Sequence, residues 1–314
     1  MPVASFVAAA TPVDLGTLPG GAFSEANGIN VSGQVVGTSD TRRGVFRATL
    51  WQNGTAMNLG TLPGTVSSFG EAINADGQVV GYSVNPGPKR AFHWQRGTMT
   101  ALPTLAGGGD AVAMAIDGKG RVVGYAQTSQ GLNHAVSWDA GLITDLGTLP
   151  GGTMSEASAV SAAGAAGNSL TEKGRFHATL WRSGGGVTDL GVLKGFPDCF
   201  AFGINATGQV VGFCTSSQGL NRAVLWQQGV TKNLGTLPGG NSSTATGINR
   251  QGHIVGFSTT ESGETHAVLW QSSGITDLGI LPGGSRSVAL AINASSRIAG
   301  NAQTSTGNTH AVTW

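Results

Sequence analysis

Short apolar segments alternate with turns rich in Gly, Asn, Asp and Ser, and the alternation recurs along the whole chain. Each unit contains the segments S-x-A-x-G-I-N (as at residues 24–30), Q-V-V-G (34–37), H/R-A-x-L-W (266–270) and T-D-L-G (276–279). Short runs bounded by turn residues are typical of β-strands. Gly or Pro interrupts every longer run, which leaves no apolar face of helical length. The pattern therefore predicts four strands per unit and no helices.

The phrase L-G-T-L-P-G-G sets the period of the unit. Its versions begin 43 or 44 residues apart, and the seven Trp residues recur at steps of 43 to 45. Four strands in about 44 residues, repeated seven times, predict a seven-bladed β-propeller. A β-solenoid is the alternative, but its coils are usually shorter and it needs atypical capping repeats, which the sequence lacks. The phrases begin at Leu15, Leu59, Leu102, Leu146, Leu190, Leu234 and Leu278, and the tryptophans are Trp51, Trp94, Trp138, Trp181, Trp226, Trp270 and Trp314.

The third and fourth strands carry residues that vary together between units. Where the third strand begins with His, the fourth carries Asp, and we expect the turn after Trp to place the two opposite each other. His310 has no fourth strand after it, but the missing segment stands at residues 13–16 with Asp14 as its acid. We therefore expect the N-terminal strand to complete the last blade, which closes the ring and removes free sheet edges. The predicted pairs are His134/Asp145, His177/Asp189, His266/Asp277 and His310/Asp14.

The first and second strands give a second test of pairing. Residues that face each other across the I-N-x-x-G turn match in kind in six of seven units, and Cys199 and Cys214 form one such pair. The simplest cause is contact across a hairpin. We predict a Cys199–Cys214 disulfide, which closes a loop of about 15 residues and contributes about 3 kcal/mol. Two reduced, buried thiols are the alternative.

The domain prediction follows from this period. We expect a single all-β propeller over residues 1–314, with four antiparallel strands in each blade. The blades are predicted at about 22–62, 66–105, 109–149, 153–193, 197–237, 241–281, and 285–314 plus 11–18.

Composition narrows the functional classes. Gly accounts for 52 of 314 residues, charged residues for 11% and apolar residues for 39%, so the chain is neither disordered nor collagen-like. A net charge of +1 gives no reason to expect a nucleic-acid partner. No apolar run reaches 18 residues, so we expect no membrane insertion. We also expect a monomer.

Two recurring residue types invite a chemical interpretation. Four His–Asp pairs suggest catalysis or metal binding, but a catalytic site need occur only once. We interpret the pairs as charge-assisted hydrogen bonds between strands. Each Trp is expected to pack between adjacent blades rather than to stack on sugars. Tyr82 and Tyr125 occupy a slot that holds Phe in other units, and we interpret them as core residues.

Function is sought where the repeats differ. The first strand and the turn before it are acidic in five units and carry an arginine in the seventh, which predicts an uneven charged rim around the channel. Converging carboxylates suit a Ca²⁺ ion or a polyol or sugar, and no other cofactor is expected. The alternative is that these charges are solvated and never converge. The rim residues are Glu25, Glu71, Asp110, Glu156, Asp198 and Arg286.

The repeated unit resembles the bacterial extracellular repeat of the HAF family. The resemblance rests on G-I-N-x-x-G-Q-V-V-G, H-A-x-L-W at residues 266–270 and T-D-L-G at 276–279, in seven copies from about Val13 to Trp314. It implies a secreted bacterial protein and assigns no catalytic residues. Low charge and a disulfide also favour an extracellular or periplasmic location. Residues 1–10 lack a basic segment, so we expect a signal peptide to be absent or trimmed.

Three functions remain open. The first is a non-catalytic extracellular binding propeller for carbohydrate or another cell-surface polymer, favoured because no isolated catalytic set is visible. The second is a hydrolase or polysaccharide lyase with its site at the mouth of the central channel. The third is a structural or assembly module.

Overall fold

The computed structural model describes residues 11–84 and 87–314, and within these ranges the chain forms strands and no helices. Seven four-stranded antiparallel sheets follow one another along the chain, which confirms the seven-bladed propeller. Residues 1–10, from which we expect a signal peptide to be absent or trimmed, lie outside the described residues. The strands are β1 (Val13–Asp14), β2 (Ser24–Ile29), β3 (Val35–Asp40), β4 (Phe46–Gln52), β5 (Thr55–Asn58), β6 (Ser67–Ile73), β7 (Val79–Val84), β8 (Arg90–Gln95), β9 (Thr98–Ala101), β10 (Ala111–Ile116), β11 (Val122–Gln127), β12 (Asn133–Asp139), β13 (Leu142–Asp145), β14 (Ser155–Ser161), β15 (Gly164–Leu170), β16 (Phe176–Arg182), β17 (Val187–Asp189), β18 (Asp198–Ile204), β19 (Val210–Thr215), β20 (Asn221–Gln227), β21 (Val230–Asn233), β22 (Ser243–Ile248), β23 (Ile254–Thr259), β24 (Thr265–Gln271), β25 (Gly274–Asp277), β26 (Ser287–Ile292), β27 (Ile298–Gln303) and β28 (Thr309–Thr313).

The two ends of the propeller meet in one sheet. Blades 1 to 6 are β2–β5, β6–β9, β10–β13, β14–β17, β18–β21 and β22–β25, and blade 7 has the order β1-β28-β27-β26. Val13 pairs with Thr313, and Asp14 pairs with Val312. The His310 Nδ1 atom lies 2.7 Å from Asp14 Oδ2. The predicted closure by the N-terminal strand is therefore confirmed.

The His–Asp contacts occur in all four predicted blades, at 2.7 to 2.8 Å. The register differs from the prediction, because Val136 rather than His134 stands opposite Asp145. The histidine therefore reaches the acid diagonally, from two residues along the strand. The second carboxylate oxygen of Asp145 accepts the backbone N–H of Gly147 at 2.8 Å. The acid thus ties strand three to strand four and also fixes the turn that follows.

The pairing of the first and second strands matches the prediction in all seven blades, from Ser24↔Ser39 to Ser287↔Ala302. Cys199 and Cys214 are bonded, with an S–S distance of 2.00 Å. The alternative of two reduced thiols is therefore wrong.

Serine on the first strand joins neighbouring blades. The Ser24 hydroxyl accepts the N–H of Ala311 at 2.9 Å and donates to the carbonyl of Gly16 at 2.8 Å. The same two bonds recur at Ser68, Ser155, Ser243 and Ser287. Burial of these hydroxyls is tolerated because both hydrogen-bonding roles are satisfied.

A second set of hydrogen bonds runs around one mouth of the channel, from the residue that follows each first strand or, in blade 4, from Ser161, which ends it. The Asn30 amide donates to the carbonyl of Asn74, and the Asn293 amide returns to the carbonyl of Asn30 at 2.9 Å. Blade 3 has Asp117, which cannot donate through an amide, and there Arg121 donates to Ser161 instead. We call this set the asparagine ring. Its members are Asn30, Asn74, Asp117 with Arg121, Ser161, Asn205, Asn249 and Asn293.

The hydrophobic core lies between adjacent sheets. Trp51 of blade 1 packs with Ala299 and Ala311 of blade 7, and the other seams are built alike. The Trp138 indole N–H donates to the carbonyl of Pro103 in the preceding blade at 2.8 Å. Trp packing between blades is thereby confirmed.

Candidate ligand site on the inner wall of the channel

The first strand of every blade is the innermost one. The seven innermost strands pack against one another in a closed ring and surround the central channel. Along β2, Ser24 and Ala26 are buried, whereas Glu25 and Asn27 are only half-buried. Because successive side chains of a strand point to opposite sides, these alternate positions are the ones that reach the channel.

Asn27 is the extra residue of a β-bulge, and each innermost strand contains one such bulge. In β2, Ala26 pairs with Gly37 and Gly28 pairs with Val36, so Asn27 is left unpaired. A Cβ on Gly37 would lie 1.9 Å from the carbonyl oxygen of Glu25, which explains why glycine recurs in Q-V-V-G. None of the seven bulge residues is buried. They are Asn27, Glu71, Met114, Ser158, Phe202, Thr246 and Leu290.

We define the inner wall as these bulge residues together with the residues two positions before them. The wall has two chemically different parts. Blades 1 to 4 contribute three carboxylates, whereas blades 5 to 7 contribute phenylalanine, threonine and aliphatic side chains. The residues two before the bulge are Glu25, Phe69, Val112, Glu156, Phe200, Thr244 and Val288, of which Val112 and Thr244 are buried.

Two carboxyl groups of the wall influence each other. Burial of the Glu71 side chain and the negative charge of Glu25 raise the pKa of Glu71 to about 8, and Lys89 opposes the shift. Burial also raises the pKa of Glu25, with Thr38 and Asn27 opposing the shift. Both carboxyls therefore retain protons more readily than exposed ones do. Near neutral pH, Glu71 is able to donate a hydrogen bond.

Lys89 and two tyrosines stand beside these acids. The Lys89 amino group donates to the Tyr125 hydroxyl at 3.3 Å and lies 5.5 Å from the ring centre of Tyr82. The Tyr82 ring stacks on Phe69 at 4.8 Å. Burial and the nearby Glu71 raise the pKa of Tyr82 to about 12. We call Glu25, Glu71, Tyr82, Lys89, Tyr125 and Glu156 the polar arc.

The opposite part of the wall is aromatic. Phe213 stacks on Phe200 at 5.2 Å and contacts Phe202 at 5.5 Å. Phe202 is exposed at 37%. The three wall carboxyl groups thus lie in blades 1 to 4, whereas aromatic rings occur both beside them, at Phe69 and Tyr82, and in blade 5.

The six rim residues predicted from the sequence occupy three strand positions. Asp110 and Asp198 lie at the entrance, where each accepts a backbone N–H of the preceding blade, that of Lys89 at 2.9 Å and that of Phe176 at 3.1 Å. Asp198 also pairs with Arg175. Their charges are thus used to join blades.

The three glutamates of the rim belong to the inner wall, whereas Arg286 holds the same entrance position as Asp110 and Asp198. Glu25 and Glu71 are brought together, and Glu156 accepts a hydrogen bond from Asn133 at 2.9 Å. Arg286 lines a cavity that it shares with Glu25 at the junction of blades 7 and 1. Within the described ranges, no three His, Cys, Asp or Glu side chains cluster closely enough to hold a metal ion.

Sequence reasoning missed the tyrosines and Lys89. The interpretation of Tyr82 and Tyr125 as core residues is wrong, because both are half-buried and both contact Lys89. Their position follows the repeated Gly of the second strand and varies between units as Thr, Tyr, Asn or Phe. That variability beside an invariant glycine is the signal that could have identified them.

Comparisons with known proteins show the fold alone. The chain matches no protein-family model and no curated protein. Among solved structures, it is similar to the β-propeller domain of the Trilobed protease from Pyrococcus furiosus, with 9% identity and a TM-score of 0.59 over 93% of this chain and 95% of that one. That domain is described as having an open velcro topology, whereas here the two chain ends pair in blade 7.

Two peptidases are also similar. A Mycobacterium tuberculosis puromycin-hydrolyzing peptidase has 12% identity and a TM-score of 0.59, over 93% of this chain and 50% of that chain. The acylaminoacyl peptidase of Pyrococcus horikoshii has 10% identity and a TM-score of 0.56, over 93% and 51%. The chain spans about half the length of these two enzymes.

Proposed function

We propose that this protein is an extracellular or periplasmic binding propeller, monomeric and of the HAF repeat type, whose ligand is a carbohydrate or another cell-surface polymer. The observation that carries the proposal is the inner wall, where half-buried aromatic rings stand beside hydrogen-bonding groups. A sugar ring has apolar C–H faces and a polar edge of hydroxyls. Stacked rings such as Phe69 and Tyr82 can pack against the C–H faces, and carboxyl and amino groups can form hydrogen bonds with the hydroxyls.

The location rests on the disulfide. A Cys199–Cys214 bond persists in oxidising compartments and is rare in the cytoplasm. No helix among the described residues has the length and apolar character needed to cross a bilayer.

A glycan array read with the purified protein tests the binding function. We expect at least one oligosaccharide class to bind, and the Tyr82→Ala and Lys89→Met variants to bind it at least tenfold more weakly. Asp76→Asn and Lys119→Met serve as matched controls, because both residues lie in turns at the opposite mouth, and they should bind as the wild type does. A protein that binds no glycan, or Tyr82→Ala and Lys89→Met variants that bind normally, would contradict the proposal.

Hydrolysis of a glycosidic bond is the second candidate, and the Glu25–Glu71 pair is the observation that favours it. A protonated Glu71 could protonate the departing glycosidic oxygen, while Glu25 removes a proton from the water that attacks the anomeric carbon. Release of reducing ends from a bound oligosaccharide tests this role. Glu71→Gln should abolish release and preserve binding, whereas the absence of release by the wild type excludes the hydrolase.

A further inference from the structure

A cavity of about 300 Å³ lies on the inner wall where blade 7 meets blade 1, the junction at which the ring closes. It combines side chains from both blades, so it exists only because the ring is closed. It is lined by Phe23, Glu25, Arg286, Val288, Asn301, Ala302, Gln303 and Thr309.

Arg286 places a positive charge in this cavity. It occupies the strand position that holds Asp110 in blade 3 and Asp198 in blade 5, where the acid binds the preceding blade. The Arg286 backbone is fixed, since its carbonyl accepts the N–H of Gln303 at 2.9 Å and it bridges to Thr265. Among the described residues, however, its guanidinium has no ion pair and no hydrogen bond. The cation is therefore available to a ligand.

The neighbouring polar groups are donors as well. The Asn301 Oδ1 atom accepts the backbone N–H of Ala26 at 2.7 Å, and this bond fixes the orientation of the amide. The Asn301 Nδ2 group consequently faces away from that bond and finds no acceptor among the described residues. The Thr309 hydroxyl also lacks a partner there. Gln303 is already engaged with Ser285 and Gly307.

We propose that this cavity binds the carboxylate of an acidic saccharide unit, such as a uronic acid, with Arg286 as the cationic partner. Asn301 Nδ2 and the Thr309 hydroxyl donate to the same carboxylate or to the adjacent ring oxygens, and the edge of Phe23 borders the sugar. The inference rests on the proposed carbohydrate function and names its ligand class. A guanidinium is suited to this role because its N–H groups match a carboxylate in a bidentate manner.

Glu25 is the one acidic group of the cavity, and its protonation state bears on the affinity. Burial raises its pKa, and Glu71 on blade 2 also faces it, with Arg286 across the cavity and Thr38 and Asn27 beside it. When Glu25 is protonated, the cavity has no negative charge to repel the ligand. Binding of the acidic saccharide should therefore tighten as the pH falls, until the ligand carboxylate itself takes up protons.

The test compares two oligosaccharides of equal length, a tetragalacturonate and its neutral galactose counterpart, by titration calorimetry at physiological salt. We expect the wild type to bind the acidic one at least tenfold more tightly. Arg286→Gln should remove this preference, and Glu25→Gln should keep the preference while flattening its pH dependence. Arg297→Gln is the matched control, because this arginine lies in the same blade at the opposite mouth and should leave the preference intact.

Equal affinity for both oligosaccharides, or a preference that survives Arg286→Gln, would overturn the inference. The carbohydrate function itself would still stand if the neutral ligand bound and Tyr82→Ala weakened it. If neither oligosaccharide bound and the glycan array was also blank, both proposals would fail together.

Discussion

The residues that hold the blades together, which we call the framework, lie on the same strands as the inner wall. The two sets differ in burial and in how much they vary between blades. In β2, Ser24 and Ala26 are fully buried and hydrogen-bonded or packed against blade 7, and most other blades keep the same residue types at these positions. Glu25 lies between these two residues, and Asn27 follows Ala26. Both face the channel, and the residues at the same positions of the other blades range from Glu to Phe. Because successive side chains of a strand point to opposite sides, residues that stabilise the fold and residues that are open to a ligand are neighbours in sequence.

This difference shows where charge is tolerated. Framework acids such as Asp145 and Asp198 sit at sheet ends, half exposed and bonded to a histidine, a guanidinium or backbone N–H groups. The wall acids Glu25 and Glu71 lack such partners and have raised pKa values. Framework acids thereby join strands and blades, whereas the wall acids are the carboxyl groups whose ionisation burial disfavours, a property typical of functional sites.

The largest expected effect on stability concerns the disulfide pair in blade 5. Replacing both cysteines, Cys199→Ser with Cys214→Ser, installs the Ser pair that faces across the same hairpin in blade 1. We expect the free energy of unfolding to fall by about 3 kcal/mol, because the 15-residue separation no longer constrains the unfolded chain. Urea unfolding measures the change. The wild type in reductant should lose the same amount, and an unchanged midpoint would show that the bond adds nothing to the framework.

A smaller loss in the free energy of unfolding is expected when a residue of the asparagine ring is replaced. Asn293→Ala removes the bond to the Asn30 carbonyl and leaves the N–H groups of Ser295 and Arg297 without their acceptor. Unsatisfied buried groups of this kind cost about 2 kcal/mol in total. Thermal unfolding should show this loss as a lower melting temperature. The variant Asp76→Asn, at an exposed residue, is the control and should melt close to the wild type. Equal melting temperatures for the two variants would mean that the ring is not part of the stabilising framework.

Much of the framework could be predicted because its contacts recur within one hairpin or one sheet. The pairing of His310 with Asp14 followed from the missing fourth strand, and Cys199 with Cys214 from the matching of facing residues. The diagonal approach of His134 to Asp145 was missed, because residue types that vary together do not report register.

The inner wall was harder to predict, because two of its determinants are three-dimensional. The bulge turns Glu71 toward the channel, and an S-x-A-x-G pattern does not distinguish a bulge from an uninterrupted strand. Contacts between blades also join residues far apart in sequence, so the bond from Lys89 N–H to Asp110 could not be inferred from either repeat alone. Asp110 therefore looked equivalent to Glu25, although its carboxylate is already in use.

The last prediction has the opposite sign, because here the variant is expected to be more stable than the wild type, and it distinguishes the inner wall from the framework. The pKa of Glu71 is about 8 in the folded chain, above its ordinary value of 4.5, so the folded state holds a proton that the unfolded state releases between these values. The free energy of unfolding should therefore fall as the pH rises from about 4.5 to about 8. Glu71→Gln removes this loss, and we expect the difference in the free energy of unfolding between variant and wild type to grow in favour of the variant from pH 5 to pH 8.5. Urea unfolding across this range measures the difference, with Asp76→Asn as the control that keeps the wild-type slope. Parallel pH profiles for Glu71→Gln and the wild type would show that the wall carboxyl is as well solvated as a framework acid, and the contrast between the two regions would fail.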